Sequence, residues 1–238
     1  MRQALVFLVL ASAIAVAQIP HATLLPVQLK SSIESNRNKA GDRIAAQLMQ
    51  DLHFQDGEKV NAGARLTGTI TAIKPGTITF EFKELHSEHQ VYTLLTDLRA
   101  IASPTEVYDA ELPTNAAGGD RGSSIADWNT IQVGGEAVYG RGGPVMEGSH
   151  VVGHSLMSGG VVGLPQSMPE SKCRGDLGNS APQSFWIFAT SACGVYGFDG
   201  LFIQHAGRNQ PLGSIRLSSS APIRLRAGTG LLLRVVHP

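Results

Sequence analysis

The stretch from Leu66 to Phe82 constrains this chain most. Leu66, Gly68, Ile70 and Ala72 alternate with Arg65, Thr67, Thr69 and Thr71; after Pro75-Gly76, Ile78, Phe80 and Phe82 alternate with Thr79, Glu81 and Lys83. An apolar period of two places one set of side chains on one face of a strand and the other set on the opposite face. Two such runs joined by a Pro-Gly turn read as antiparallel strands with one face in a core. A third run, Val91 to Leu98, follows the polar break His86 to Gln90, so Val60 to Leu98 is expected to form an antiparallel meander.

Strand signals recur on either side. Thr23 to Lys30 reads as a first strand, with Pro26 expected at a sheet edge because proline cannot donate to a ladder. Arg43 to Phe54 fits helix or strand by spacing, and the internal echo described below favours strand. Near the C-terminus, strands are expected at Phe185 to Ala189, Leu201 to His205, Gly213 to Leu217, Pro222 to Leu225 and Leu231 to Val236. Between these blocks, Gly118-Gly119, Gly134-Gly135, Gly142-Gly143 and Gly159-Gly160 interrupt any period, with short strands expected only near Thr130 to Val133 and His150 to Val152.

The fold class that follows is all-β: a small antiparallel barrel or sandwich with a long Gly-rich irregular insertion. The expected organisation is a signal peptide over 1–17, a β-meander over 18–101, a Gly/Pro-rich insertion over 102–182, and a β segment over 183–238 completing the same domain. Composition agrees: 27 glycines suit turns, and 42% hydrophobic residues suffice for a core. One internal echo stands out. Val60-Asn-Ala-Gly-Ala-Arg-Leu66-Thr-Gly-Thr-Ile70 aligns without gaps on Leu225-Arg-Ala-Gly-Thr-Gly-Leu231-Leu-Leu-Arg-Val235. Both read as a tight turn, with Gly at positive φ, feeding a strand.

The N-terminus points to export. Arg2 precedes the apolar run from Ala4 to Ala11, and Ala15-Val16-Ala17 forms a small-x-small site that leaves Gln18 as the mature N-terminus. The apolar stretch falls short of the roughly 20 residues a spanning helix needs, and no later segment reaches that length. A periplasmic or secreted product is expected, without a transmembrane segment after cleavage. In that compartment the two cysteines, Cys173 and Cys193, are most simply a disulfide, worth about 3 kcal/mol for a loop of this size.

The residues from Leu24 to Ile73 carry a resemblance. Pro26-Val27-Gln28-Leu29-Lys30-Ser31-Ser32, then Gly41-Asp42-Arg43, then Ala62-Gly63-Ala64-Arg65-Leu66-Thr67-Gly68 resemble the start of the C-terminal barrel domain of the TrbI-like conjugation and type IV secretion channel scaffold. The same pattern is similar to uncharacterised exported β-domains of soil bacteria. The resemblance covers about a fifth of the chain and implies a β-barrel in an envelope setting with no active site.

Chemistry is sparse. Lys+Arg and Asp+Glu both number 19, without the basic excess a nucleic-acid partner calls for. His86 and His89, and His150 and His154, lack the further ligands a zinc site needs. Glu81 and Glu84 read as solvated strand carboxylates. Gly140-Arg141-Gly142-Gly143 has no following Gly-Lys-Ser/Thr, and no Gly-x-Ser-x-Gly elbow occurs. No catalytic residue, metal ligand or cofactor is therefore assigned. Trp186, Tyr196 and Phe198 are the candidate binding residues, as a stacking platform for sugars or peptides, although core packing is the reading that large aromatics favour. The function expected is a non-enzymatic exported envelope protein, structural or partner-binding, its partner an envelope protein or a glycan. Alternatives are a carbohydrate- or peptidoglycan-binding module and a component related to the secretion-channel scaffold.

Overall fold

A computed structural model describes residues 18–54, 57–111, 130–133, 136–139, 143–147, 150–155, 184–189, 192–204 and 211–236. The signal segment 1–17 and Cys173 lie outside them. In chain order the elements are β1 (Leu24–Leu29), β2 (Ile33–Glu34), β3 (Arg43–Leu48), β4 (Leu52–His53), β5 (Lys59–Val60), β6 (Arg65–Lys74), β7 (Thr77–His86), β8 (Val91–Thr93), β9 (Thr96–Ala102) and α1 (Pro104–Glu111). They continue as β10 (Thr130–Val133), β11 (Glu136–Tyr139), β12 (Gly143–Glu147), β13 (His150–Ser155), β14 (Ser184–Phe185), β15 (Phe188–Ala189), β16 (Gly194–Tyr196), β17 (Leu201–Gln204), β18 (Ile215–Ser219), β19 (Arg224–Leu225) and β20 (Gly230–Val235).

The all-β expectation is met by one large mixed sheet in the order β16-β9-β20-β1-β3-β6-β7-β18-β17, with β8 also paired to β7. Its pairs are antiparallel except β16 on β9. β16 and β17 stand at opposite ends of that order, yet only residues 197–200 join them. Such a link reaches at most about 18 Å, whereas a flat sheet would hold the two strands roughly 38 Å apart. The sheet therefore curls until its ends approach, and its concave side encloses the main core. Leu25, Leu48, Leu66, Phe80, Ile215 and Leu233, one from each of six strands, are fully buried there. No β16–β17 ladder closes the curl among the described residues, so the all-β class holds while no closed barrel forms.

Three expectations need correction. Pro26 is not at an edge: β1 lies between β20 and β3. It is tolerated because its carbonyl, and hence its nitrogen, faces the β3 side, where β3 has already ended at Leu48 and Met49 N–H bonds Pro26 O at 2.9 Å. The run Val91 to Leu98 is not the third strand of a meander. β8 pairs with β7, but β9 crosses to pair with β20 because it is buried on both faces and needs neighbours on both. Phe185 to Ala189 is not one strand but a tight hairpin, β14–β15, turning at Trp186 and Ile187.

The stretch 102–182, expected to be irregular apart from two short strands, holds α1 and β10 to β13 among the described residues. α1 opens with Pro104, and Ser103 Oγ accepts from Glu106 N–H at 3.3 Å. Ser103-Pro104-Thr105-Glu106 is a capping sequence with proline at the first helical position. The strands expected near Thr130 to Val133 and His150 to Val152 are present as β10 and β13. A second core forms where α1, the β12–β13 hairpin and the β14–β15 hairpin cover the convex side of one half of the sheet. It packs Val107, Val152 and Trp186 onto Leu24, Ala100 and Leu232.

The internal echo is a repeat of structure. β1 and β20 pair as Leu24↔Arg234 and Gln28↔Gly230; β3 and β6 pair as Arg43↔Thr69 and Gln47↔Arg65, the same register position for position. Gly63 and Gly228 both stand at φ 94°, each donating its N–H at 2.8 Å to the last residue of the partner strand, Leu48 and Leu29. β4 pairs with β5, and β2 with β19, at corresponding places. The two strand pairs, β1–β20 and β3–β6, thus form equivalent halves, each positioned by the same glycine turn.

Candidate functional site

The equivalent halves differ on the convex side. Gly230 is closed over by Ile187, Val107 and Trp186, any of which a Cβ there would meet at 3.1–3.3 Å. Its counterpart is Arg65, which is exposed, and the counterpart of buried Leu24 is exposed Arg43. Among the described residues the covering layer reaches β1 and, beyond it, Met49 and Gln50 just past the end of β3, while Arg43 of β3 and the outer residues of β6 and β7 present a polar face.

β6 points Leu66 and Ile70 into the core, and period-two alternation sends Arg65, Thr67 and Thr69 outward. At Gly68 the chains come too close for a side chain, since a Cβ would sit 2.1 Å from Glu81 O. The pairing register shifts between Thr67 and Gly68, which brings Thr67 opposite Glu84 and Arg65 opposite His86. There His86 Nε2 lies 2.9 Å from Glu84 Oε2, and Thr67 Oγ1 donates to the same oxygen at 3.2 Å. Thr67 Oγ1 and His86 Nε2 are 3.4 Å apart. One imidazole nitrogen thus faces both neighbours. A nucleophile–base–acid chain needs the two ring nitrogens to serve different partners, so this trio is built to hold His86 in place rather than to activate Thr67.

Two hollows of about 400 and 440 Å³ flank the trio. One lies between the Lys59-to-Arg65 turn and the His86-to-His89 turn; the other runs over Arg43, Thr67 and Lys83. Both are walled by Arg65 and His86, so the two hollows adjoin at that pair and are together termed the groove. Its walls carry four cations, Arg43, Lys59, Arg65 and Lys83, against two carboxylates, Glu84 and Glu88. Lys59 is paired with Asp51 at 2.7 Å and Lys83 with Glu81 at 2.9 Å. Arg43 and Arg65 form no ion pair among the described residues.

The candidate binding residues lie elsewhere and are not brought together. Trp186 is 7% exposed and Tyr196 4%, both in the second core, while Phe198 packs against the first. Trp186 Nε1 donates to Glu111 at 3.0 Å, and the Tyr196 hydroxyl bonds the backbone of Cys193 at 3.1 and 3.3 Å. Stacking needs an open ring face, which these buried rings do not offer; burial also raises the Tyr196 pKa. Cys193 is buried, and no free cysteine occurs among the described residues. His150's side chain lies outside the description, and no group of three or more metal-ligating side chains is gathered among the described residues. The arginines were missed because each looks like an ordinary solvated residue. Only the echo, which sets Arg65 against Gly230, held a signal.

His154 meets His53 edge-on, with ring centroids 5.4 Å apart, where the β12–β13 hairpin reaches β4. Gln50 ties this junction, donating to His154 O and accepting from Trp186 N–H at 2.8 Å. Desolvation and the neighbouring His53 lower the His154 pKa below the usual 6.5. Folding therefore favours the neutral ring, so this contribution is whole above pH 6.5 and is lost as pH falls below it. Asp42 and Asp51, held below 3.8 chiefly by hydrogen bonds, lose theirs only at lower pH. Melting temperature should thus decline on acidification from about pH 7.5 to about pH 4.5. His154→Gln should flatten that decline, and an unchanged slope would count against the coupling.

Compared with protein families, characterised proteins and solved structures, the chain matches none.

Proposed function

We propose that this chain is an exported, non-enzymatic protein of the bacterial envelope that binds a partner on the open face of β3, β6 and β7. One observation carries the reading: Arg43 and Arg65 occupy the positions that Leu24 and Gly230 hold in the other half, where a covering layer docks. A surface left open in one of two equivalent strand pairs, and furnished with arginines that have no ion pair among the described residues, suits a ligand from outside. Export is supported by Arg2, the Ala4-to-Ala11 run and the Ala15-Val16-Ala17 site. As a second reading, the resemblance of Leu24 to Ile73 supports a secretion-channel setting, since these residues supply β1, β3 and β6, three strands of the curled sheet.

Expression from the full chain tests the proposal. The product should appear in the periplasm or medium with a mass beginning at Gln18; an uncleaved cytoplasmic product would overturn export. Steady turnover of esters, peptides or glycosides by the purified protein would overturn the non-enzymatic part. A Cys173–Cys193 bridge belongs to the same proposal. Reduction should raise the intact mass by two hydrogens, and Cys173→Ser should lower stability by about 3 kcal/mol. An unchanged mass would remove the bridge.

A further inference from the structure

We infer that the groove takes an acidic glycan, whose carboxylate or phosphate groups are held by Arg43 and Arg65. The inference rests on the reading of this face as a binding surface and names its ligand. Three features of the walls select the chemistry. First, the two guanidiniums have no carboxylate partner among the described residues, so each can turn its fork of donors to an oxyanion. Second, the register places Arg43 opposite Thr69, four residues along β6 from Arg65, a separation of about 13 Å. A polymer with acid groups recurring along its length meets both anchors at once. Third, beside Lys59, Lys83, Glu84 and Glu88, of which the first three are ion-paired, the wall supplies hydroxyl, amide and imidazole groups from Thr67, Thr69, Asn61, Ser87 and His86. Ile44 is the one large aliphatic side chain in either hollow, so the groove lacks the apolar pockets that read peptide side chains but offers partners for sugar hydroxyls.

The test is calorimetric titration of the mature chain with four probes: an oligogalacturonate, a phosphorylated mannan oligosaccharide, a neutral maltooligosaccharide and an oligoglutamate. Binding of either acidic glycan is expected, and which one binds distinguishes a carboxylate from a phosphate ligand. Raising salt from about 0.05 to about 0.5 M should weaken it severalfold. Arg43→Gln and Arg65→Gln should each weaken it about tenfold without moving the melting temperature, because both side chains are exposed. Lys30→Gln, at an exposed site off the groove, should change nothing. Silence toward both acidic glycans, equal binding of the neutral sugar, or indifference to both arginine substitutions would overturn the inference. Binding of oligoglutamate alone would reassign the groove to acidic peptides, removing the glycan while keeping the binding face. Export and processing of the chain are read separately, so the glycan can fail while the envelope reading stands.

Discussion

Phe80→Ala is expected to cost about 3–5 kcal/mol and to lower the melting temperature by about 10 °C for a chain of this size. Phe80 is fully buried on β7, with Ile70 opposite it on β6 and Ile215 on β18. Its ring meets Phe82 edge-on at 6.0 Å. Truncation would remove the transfer energy of the ring and leave a cavity that neighbours on two paired strands cannot collapse into, because the ladders hold their spacing. Denaturant melts of the purified variant measure this directly, and a loss under about 1 kcal/mol would show that the curled sheet's interior is not packed as described. Phe80→Leu should recover most of the loss, since it restores volume.

Gly230→Arg should be as damaging, by about 4 kcal/mol or more, and in a different way. The substitution writes the open half's residue into the covered half. Ile187, Val107 and Trp186 occupy the space the new side chain needs, and a guanidinium there would be buried without a partner. The relief available is to lift α1 and the β14–β15 hairpin away from β20. Trp186 emission should shift to the red and amides of Phe185 to Phe188 should lose protection from exchange, while strands β3, β6 and β7 keep theirs. Arg65→Gly, the reverse exchange, should leave the fold nearly unchanged. If Gly230→Arg proved neutral, the covering layer could not be packed on that strand.

Much of the fold was legible because strand alternation is a local property. Leu66, Ile70, Ile78 and Phe80 declare their shared face through spacing alone, and β6 and β7 form where that spacing begins and ends. α1 was legible too, in Ser103-Pro104-Thr105-Glu106, but a short polar helix within a Gly-rich stretch gives little period to notice. Pro26 and β9 were misplaced for a common reason. Whether a strand is central depends on partners far along the chain, here β20 more than a hundred residues later, and residue spacing does not name partners. The aromatic residues follow the core-packing reading rather than the platform. A Trp, a Tyr and a Phe close in sequence look like a platform, yet burial sends Trp186 and Tyr196 to one core and Phe198 to the other.

By itself the sequence determined the all-β class, the β6–β7 hairpin and the echo of Val60–Ile70 in Leu225–Val235, since these depend on period and on glycine at a turn. The tertiary structure alone decided that the echo is two strand pairs in one register, one of them covered and one open. It also decided that Arg43, Arg65 and the Thr67–Glu84–His86 trio share a groove. Those residues meet because β3, β6 and β7 are neighbours and the bulge at Gly68 shifts their pairing. Their proximity is long-range geometry, which no run of adjacent residues encodes.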